Sequence, residues 1–344
     1  MPQGERSVLH VLPHAGGGGD TYVDVLSELP GYTFERVYIA PKRKPGVGQV
    51  VAGVLDLSRT LRGYDLLHVH GEAAAGLFLP LLAARRSVVT LHGLHLLRRV
   101  SGVKRRAAEV NLRALVRAAN CTICVSNAEH DALLAVVGLA AARRTKVIHN
   151  GARLSVPTRA AERDRLRAEL GLRESDVVGI WVGSLDERRD PVAVVHAAER
   201  TATPLLIVGD GPLRAEVERA AKEHVHVLGH RNDVPALLDA ADFFVLMSQR
   251  EGLSFALLEA MAHGLPAIVA DVPENVEAVG DSGLAVRYGD EEDIVVALRH
   301  LVHDREARAV LAARARERVA EHFAVEDMID GTRSLYDEVL AESR

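Results

Sequence analysis

The chain has 344 residues, 48% of them hydrophobic, 26% charged and 4% aromatic, with a net charge of −5. That length exceeds what one hydrophobic core usually serves and predicts two domains of ordinary size. Sparse aromatics argue against a stacking platform for nucleic acid, the apolar runs fall far short of a membrane span, and no cleavable leader is visible, so a soluble cytoplasmic protein with no nucleic-acid partner is expected.

Short β-rich runs alternate with helical stretches from the start: Val8 to Pro13, Arg36 to Ala40, Asp65 to Gly71, Ser87 to Gly93, Cys121 to Ser126 and Lys146 to Gly151. This alternation predicts a parallel sheet. The first strand runs into His14-Ala-Gly-Gly-Gly-Gly19-Asp20, a glycine turn whose backbone can approach a ligand closely. Histidines gather at two strand ends, in His68-Val-His70-Gly-Glu72 and Thr90-Leu-His92-Gly-Leu-His95. The spacing of His68 and His70 puts both rings on one face, which would suit a zinc-dependent hydrolase. Without an aspartate or lysine ligand set downstream, or the pattern of a single eight-stranded barrel, that remains the lesser alternative and no metal is expected. Between Arg85 and Arg117 stand nine basic residues and one acid, Glu109. They read equally as a solvated helical face or as a surface for an anionic partner, with weak support for peripheral membrane contact because the apolar face of an interfacial helix is missing. Cys121 and Cys124 fall in a strand, not at a helix start, and are expected to be buried, inert thiols.

A polar stretch around Pro157 separates this series from a second: Val177 to Leu185, Pro204 to Gly209, Val225 to Gly229, Asp242 to Ser248, Pro266 to Asp271 and Gly283 to Val286. Runs of Val, Ile and Leu with little alternation suit a sheet covered on both faces by helices. Two doubly wound domains are therefore expected, at residues 1–155 and 156–324, with helices from about Glu291 to Glu321 closing the second. Residues up to 156 carry a net charge of +9 and the remainder −14, counted along the sequence. In open α/β folds, ligands bind outside the carboxyl ends of the strands, so a cleft between the domains is expected to hold the site.

The segment richest in site features is Ser248-Gln-Arg-Glu251-Gly-Leu-Ser-Phe-Ala-Leu-Leu-Glu259, where a strand passes into a helix opening near Ser254. Amides of Gly252, Leu253, Ser254 and Phe255 at a helix start favour phosphate. The carboxylates of Glu251 and Glu259 can each accept hydrogen bonds from neighbouring hydroxyls. This segment resembles the E-x7-E motif of the retaining glycosyltransferases of family 4. The likeness continues through Val208-Gly-Asp-Gly-Pro212, Val227-Leu-Gly-His-Arg-Asn-Asp-Val-Pro235, Glu277-Ala-Val-Gly-Asp-Ser-Gly-Leu284 and Leu335-Tyr-Asp-Glu-Val-Leu340.

The resemblance implies a GT-B fold, two Rossmann-like domains facing a central cleft. The first would bind the acceptor and be completed by a C-terminal helix at about 325–344; the second would bind the donor. It implies transfer of a hexosyl group from a nucleotide sugar, UDP-linked by default and GDP-linked next, to a hydroxyl acceptor that could be anionic, with no cofactor and no metal. Glu251 would hold the donor sugar, Glu259 the ribose, and the amides from Gly252 to Phe255 the sugar and diphosphate. Gly209, His230 and Arg231 would lie at the base, Gly18 and Gly19 would line the cleft, and His92 would contact the transferring sugar. Where the family has an arginine and a following lysine, this chain has Ser184 and Arg189. The lost cation raises a second alternative, a nucleotide-sugar-binding protein of weak or absent activity.

Overall fold

The computed structural model describes residues 5–39, 63–155 and 160–342. The hinge expected around Pro157 falls outside them. The chain forms two compact units: Met1–Asn150, Glu251–Leu253 and Val325–Arg344 make the first, and Gly151–Arg250 with Ser254–Ala324 make the second.

The first unit contains β1 (Arg6–Leu12), β2 (Tyr32–Tyr38), β3 (Leu66–His70), β4 (Ser87–Thr90), β5 (Cys121–Cys124) and β6 (Thr145–Val147), all parallel, in the order β2-β1-β3-β4-β5-β6. Alternation along each strand separates two very different faces. Leu9, Val11, Leu67, Val69, Val89 and Leu91 join one apolar core with Phe78, Leu82, Leu112 and Leu115 from the helices that follow. His10, His68, His70 and Thr90 point the other way and are buried too. They lie under Tyr22 of the helix Gly18–Leu26 and Tyr336 of the helix Val325–Ala341. Cys121 and Cys124 are free and buried, and burial pushes both thiols up, Cys121 to about 12, so they stay protonated and unreactive.

The second unit contains β7 (Gly179–Val182), β8 (Leu205–Val208), β9 (Val225–Gly229), β10 (Phe243–Leu246), β11 (Ala267–Ala270) and β12 (Gly283–Val286), again parallel, in the order β12-β11-β10-β7-β8-β9. Every residue of β8, β10 and β11 is buried, as helix-covered strands require. Its core gathers Trp181, Leu205, Ile207, Phe243 and Ile268 with Val194 and Leu298 from flanking helices. Arg167, 3% exposed, crosses from the helix Ala160–Glu169 to donate to the Ala240 carbonyl (2.9 Å) and to Asp242 (2.6 Å), pinning the entrance to β10. Asp242, about a quarter exposed, also pairs with Arg163 at 2.7 Å.

Strand order locates the places where ligands bind. In the second unit the chain reverses direction between β7 and β10, and in the first between β1 and β3; loops leaving such neighbours diverge and open a crevice at their carboxyl ends. Among the described residues no helix is long and apolar enough to cross a membrane.

Candidate functional site

In the second unit, the loops after β7, β8, β9 and β10 carry the expected donor residues. Ser184 opens the turn after β7, and the Arg189 guanidinium lies so close to Gly183 that a Cβ there would meet its Nη1 at 2.8 Å. Gly209, leaving β8, has φ +137, and a Cβ on it would stand 1.8 Å from the Gly183 carbonyl oxygen. Only glycine lets these two loops meet. The contact is held by Gly183 N donating to Val208 O (3.0 Å) and Leu185 N to Asp210 O (3.0 Å). Across the switch point, Gln249 N donates to the Arg188 carbonyl (2.9 Å), so the loops after β7 and β10 also support each other. Arg188 pairs with Asp186 at 3.6 Å. His230 is exposed, whereas Arg231 is drawn into a two-pronged pair with Asp233, with its Nε 2.7 Å from Oδ1. The fork that would address a base is thus partly engaged.

Ser254 has the backbone and hydrogen bond of an N-cap: its Oγ accepts from Leu257 N (3.4 Å) and opens the helix Phe255–Ala262. Glu259 lies within that helix, half-buried, and burial pushes its carboxyl up to about 7. A carboxyl desolvated at that cost is a candidate for ligand binding.

Glu251, Gly252 and Leu253 belong to the first unit, where they sit against the turn that carries His92. A Cβ on Gly252 would lie 2.7 Å from both Gly93 N and the His92 carbonyl carbon. Asn150 Nδ2 donates to the Leu253 carbonyl (2.7 Å) and holds the segment down. His92 itself has φ 60, a left-handed conformation that a histidine adopts at a cost, and such strain gathers at ligand-binding turns.

Two buried carboxylates hold that turn, and neither role was foreseen from the sequence. Glu129 accepts from Gly93 N and, at 2.8 Å, from Val125 N. Glu72 accepts from Leu96 N and Leu97 N, and burial pushes it up to about 7. Ser126-x-x-Glu129 is a capping-box spacing, with Ser126 Oγ accepting from Glu129 N (3.1 Å); that signal could have flagged Glu129. At the glycine turn, left-handed backbone falls at Gly16 (φ 80) and Gly17 (φ 111), while Gly18 and Gly19 are the first residues of the helix. The positions that require glycine for conformation precede the expected pair.

His10, His68 and His70 are near enough to one another to suggest a metal site. Their bonding speaks against one. His68 spends Nδ1 on the Tyr336 hydroxyl (2.5 Å) and Nε2 on Thr90 Oγ1 (2.7 Å), and the rings of His68 and His70 stack at 20° with centroids 4.3 Å apart. Both His68 nitrogens and the facing nitrogens of His10 and His70 are thus engaged with protein partners, so a cation here would have to displace those hydrogen bonds.

Comparison with known proteins identifies the family and the fold. The family described as Glycosyltransferase Family 4 matches residues 9–156, and that described as Glycosyl transferases group 1 matches residues 177–304. A galactosyltransferase of Escherichia coli, the UDP-Gal:alpha-D-GlcNAc-diphosphoundecaprenol alpha-1,3-galactosyltransferase, is 28% identical over 79% of this chain and 75% of its own length. A D-inositol 3-phosphate glycosyltransferase of Salinispora arenicola is 29% identical over 92% of this chain and 80% of its own. Among solved structures, Anabaena HepE, determined with UDP and glucose, superposes with a TM-score of 0.80 at 21% identity, covering 96% of this chain and 99% of that one. The structural likeness shows the fold, two doubly wound domains of the GT-B kind.

Proposed function

We propose that this chain, which belongs to the glycosyltransferases of family 4 type, transfers a hexosyl group from a UDP-sugar to a hydroxyl acceptor with retention at the anomeric carbon. The observation that carries the reading is the strand-to-helix segment after β10. One stretch of chain supplies a glycine pressed against the His92 turn, a capped helix start at Ser254, and a desolvated carboxyl at Glu259.

In this reading Glu259 accepts the two ribose hydroxyls, Glu251 accepts hydroxyls of the sugar, and the amides from Gly252 to Phe255 hold diphosphate oxygens. Arg189 clamps the diphosphate and neutralises the charge that builds on it as the bond to the anomeric carbon breaks. The acceptor oxygen attacks from the face that the diphosphate leaves, and its proton passes to a departing phosphate oxygen, so neither a dedicated base nor a metal is required. His230 and Arg231 lie beside the base and Gly209 beneath it. GDP-sugars are the second donor class.

An anionic acceptor is favoured by one feature of the first unit, a cavity of about 320 Å³ lined by Leu94, Leu97, Arg98, Arg105, Glu109 and Arg113. Arg98, Arg105 and Arg113 share this opening with Glu109, which pairs with Arg105 at 3.3 Å and with Arg113 at 4.0 Å, and the excess of positive charge favours phosphate or carboxylate. Purified protein incubated with UDP-hexoses and phosphorylated or neutral polyols tests the reading through UDP release and the anomeric coupling constant of the product. No UDP release and no thermal stabilisation by UDP or GDP sugars would reject it; inversion would reject the retaining route alone.

A further inference from the structure

The His92 turn is tied to the interior of the first sheet by a row of rings that the donor reading leaves unused. His10 Nδ1 lies 2.8 Å from His70 Nε2, and His70 Nδ1 lies 2.8 Å from His92 Nε2. Ring centroids are 5.1 Å apart on each side and the ring planes differ by only 25° and 20°, so His70 meets both neighbours edge to edge, as in-plane N–H···N bonds require. At that separation each pair shares one proton, with one nitrogen donating and the other accepting. Burial pushes His10 and His70 well below the usual histidine range and His92 down to about 3, so at neutral pH each ring is uncharged and carries one N–H.

Three neutral rings joined nitrogen to nitrogen have two consistent proton arrangements: every proton on Nδ1, or every proton on Nε2. The far end of the row decides between them. His10 Nε2 is buried and has no hydrogen-bond partner. A buried N–H with no acceptor is the rarer orphan, and a bare lone pair is better tolerated, so His10 Nε2 is the unprotonated nitrogen. His10 Nδ1–H then donates to His70 Nε2, and His70 Nδ1–H donates to His92 Nε2. His92 is left with its proton on Nδ1, which has no hydrogen-bond partner among the described residues.

We infer that His10 and His70 are positioning residues that hold His92 as the Nδ1–H tautomer, so that it offers a hydrogen-bond donor, and not a basic lone pair, to an oxygen of the bound donor. The ligand rests on the glycosyl-transfer reading above; the tautomer does not. Free neutral histidine prefers the proton on Nε2, so the row reverses the ring's own preference. Coupled rings also transmit the choice: altering His10, which lies two rings away, changes what His92 presents.

Nitrogen-15 NMR of the full chain labelled at histidine tests this directly, with the His92 signals identified by their loss in His92→Gln. The expected spectrum at pH 7 has a protonated Nδ1 and an unprotonated Nε2. In His70→Phe the ring should revert to Nε2–H, and kcat should fall about 10- to 100-fold, the range seen when partners that orient a functional imidazole are removed, with donor KM unchanged. His70→Asn, which returns an amide donor toward His92 Nε2, should restore the tautomer and most of the rate. His10→Phe is the second variant and should shift the same signals. An Nε2–H His92 in the wild type, or an unmoved tautomer in folded His70→Phe and His10→Phe, would overturn the inference. Absence of turnover in the wild type would count against glycosyl transfer, while the spectrum would still decide the tautomer.

Discussion

Donor affinity should depend on pH through Glu259. Its carboxyl stands near 7 because burial disfavours its charge, and the proposed ribose contact needs both oxygens as acceptors, hence the ionised form. Below 7 most of the free protein carries a protonated carboxyl and must lose that proton to bind. With binding limited to the ionised fraction, the dissociation constant for a UDP-hexose at pH 6 should exceed that at pH 8 by roughly ten-fold, or about 1.4 kcal/mol. The doubly esterified diphosphate of a UDP-hexose keeps its charge over this interval, unlike the terminal phosphate of free UDP, which isolates the protein group. Isothermal titration at pH 6, 7 and 8 in buffers of different ionisation enthalpy measures both the affinity and the proton released. Glu259→Gln should bind weakly at pH 8 and lose the slope. A flat wild-type profile, or a Glu259→Gln variant that keeps the ten-fold change, would refute the ribose assignment.

Ser184→Arg should raise kcat, by about ten-fold or more if a diphosphate contact is regained, since one such stabiliser is commonly worth 10²- to 10³-fold; an unchanged rate would show that Arg189 and Arg188 suffice. Gly209→Ala should cost about 3 kcal/mol or more, read as a lowered Tm, because its Cβ would overlap the Gly183 carbonyl at 1.8 Å and its φ is +137. Glu72 has a folded pKa of about 7 against an ordinary 4.5, so the stability it contributes is intact below 4.5 and lost as pH rises through 7. Glu72→Gln should therefore melt higher than wild type at pH 8, by on the order of 2–3 kcal/mol, with the gap closing toward pH 5. Arg98→Ala with Arg113→Ala should raise KM for a phosphorylated acceptor in a salt-sensitive way and leave a neutral polyol unaffected.

The sheet architecture was legible because most strands announce themselves as short Val-, Ile- and Leu-rich runs, and the ends of the expected runs differ from the observed strands by a few residues. Arg36 to Ala40 was the least accurate: β2 begins at Tyr32, where polar and aromatic residues hide an edge strand. The donor segment was legible for a local reason, since a capped helix start is written within a few consecutive residues. What stayed hidden depends on neighbours distant in sequence. The His10–His70 contact joins residues 60 apart on adjacent parallel strands, and Glu129 reaches Gly93 across 36. A glycine run shows that a turn needs freedom but not which of its members spends it: the left-handed residues are Gly16 and Gly17, just ahead of the pair Gly18 and Gly19 singled out by resemblance. The H-x-H spacing placed His68 and His70 correctly on one face, yet hydroxyl partners from Tyr336 and Thr90, which no spacing reveals, turn an apparent chelate into a hydrogen-bonded stack.

The helix Val325–Ala341 has a consequence for how the molecule is made. It supplies Tyr336 to a sheet whose strands lie within residues 6–147, so the ribosome delivers the entire second unit before the first can be closed. Through that interval the part of the sheet face that Tyr336 covers stays open to water. The same face carries Val8, Leu66 and Val88, which in an unbroken row would invite association with neighbouring chains. His10, His68, His70 and Thr90 interrupt them with groups that water can solvate until the helix arrives.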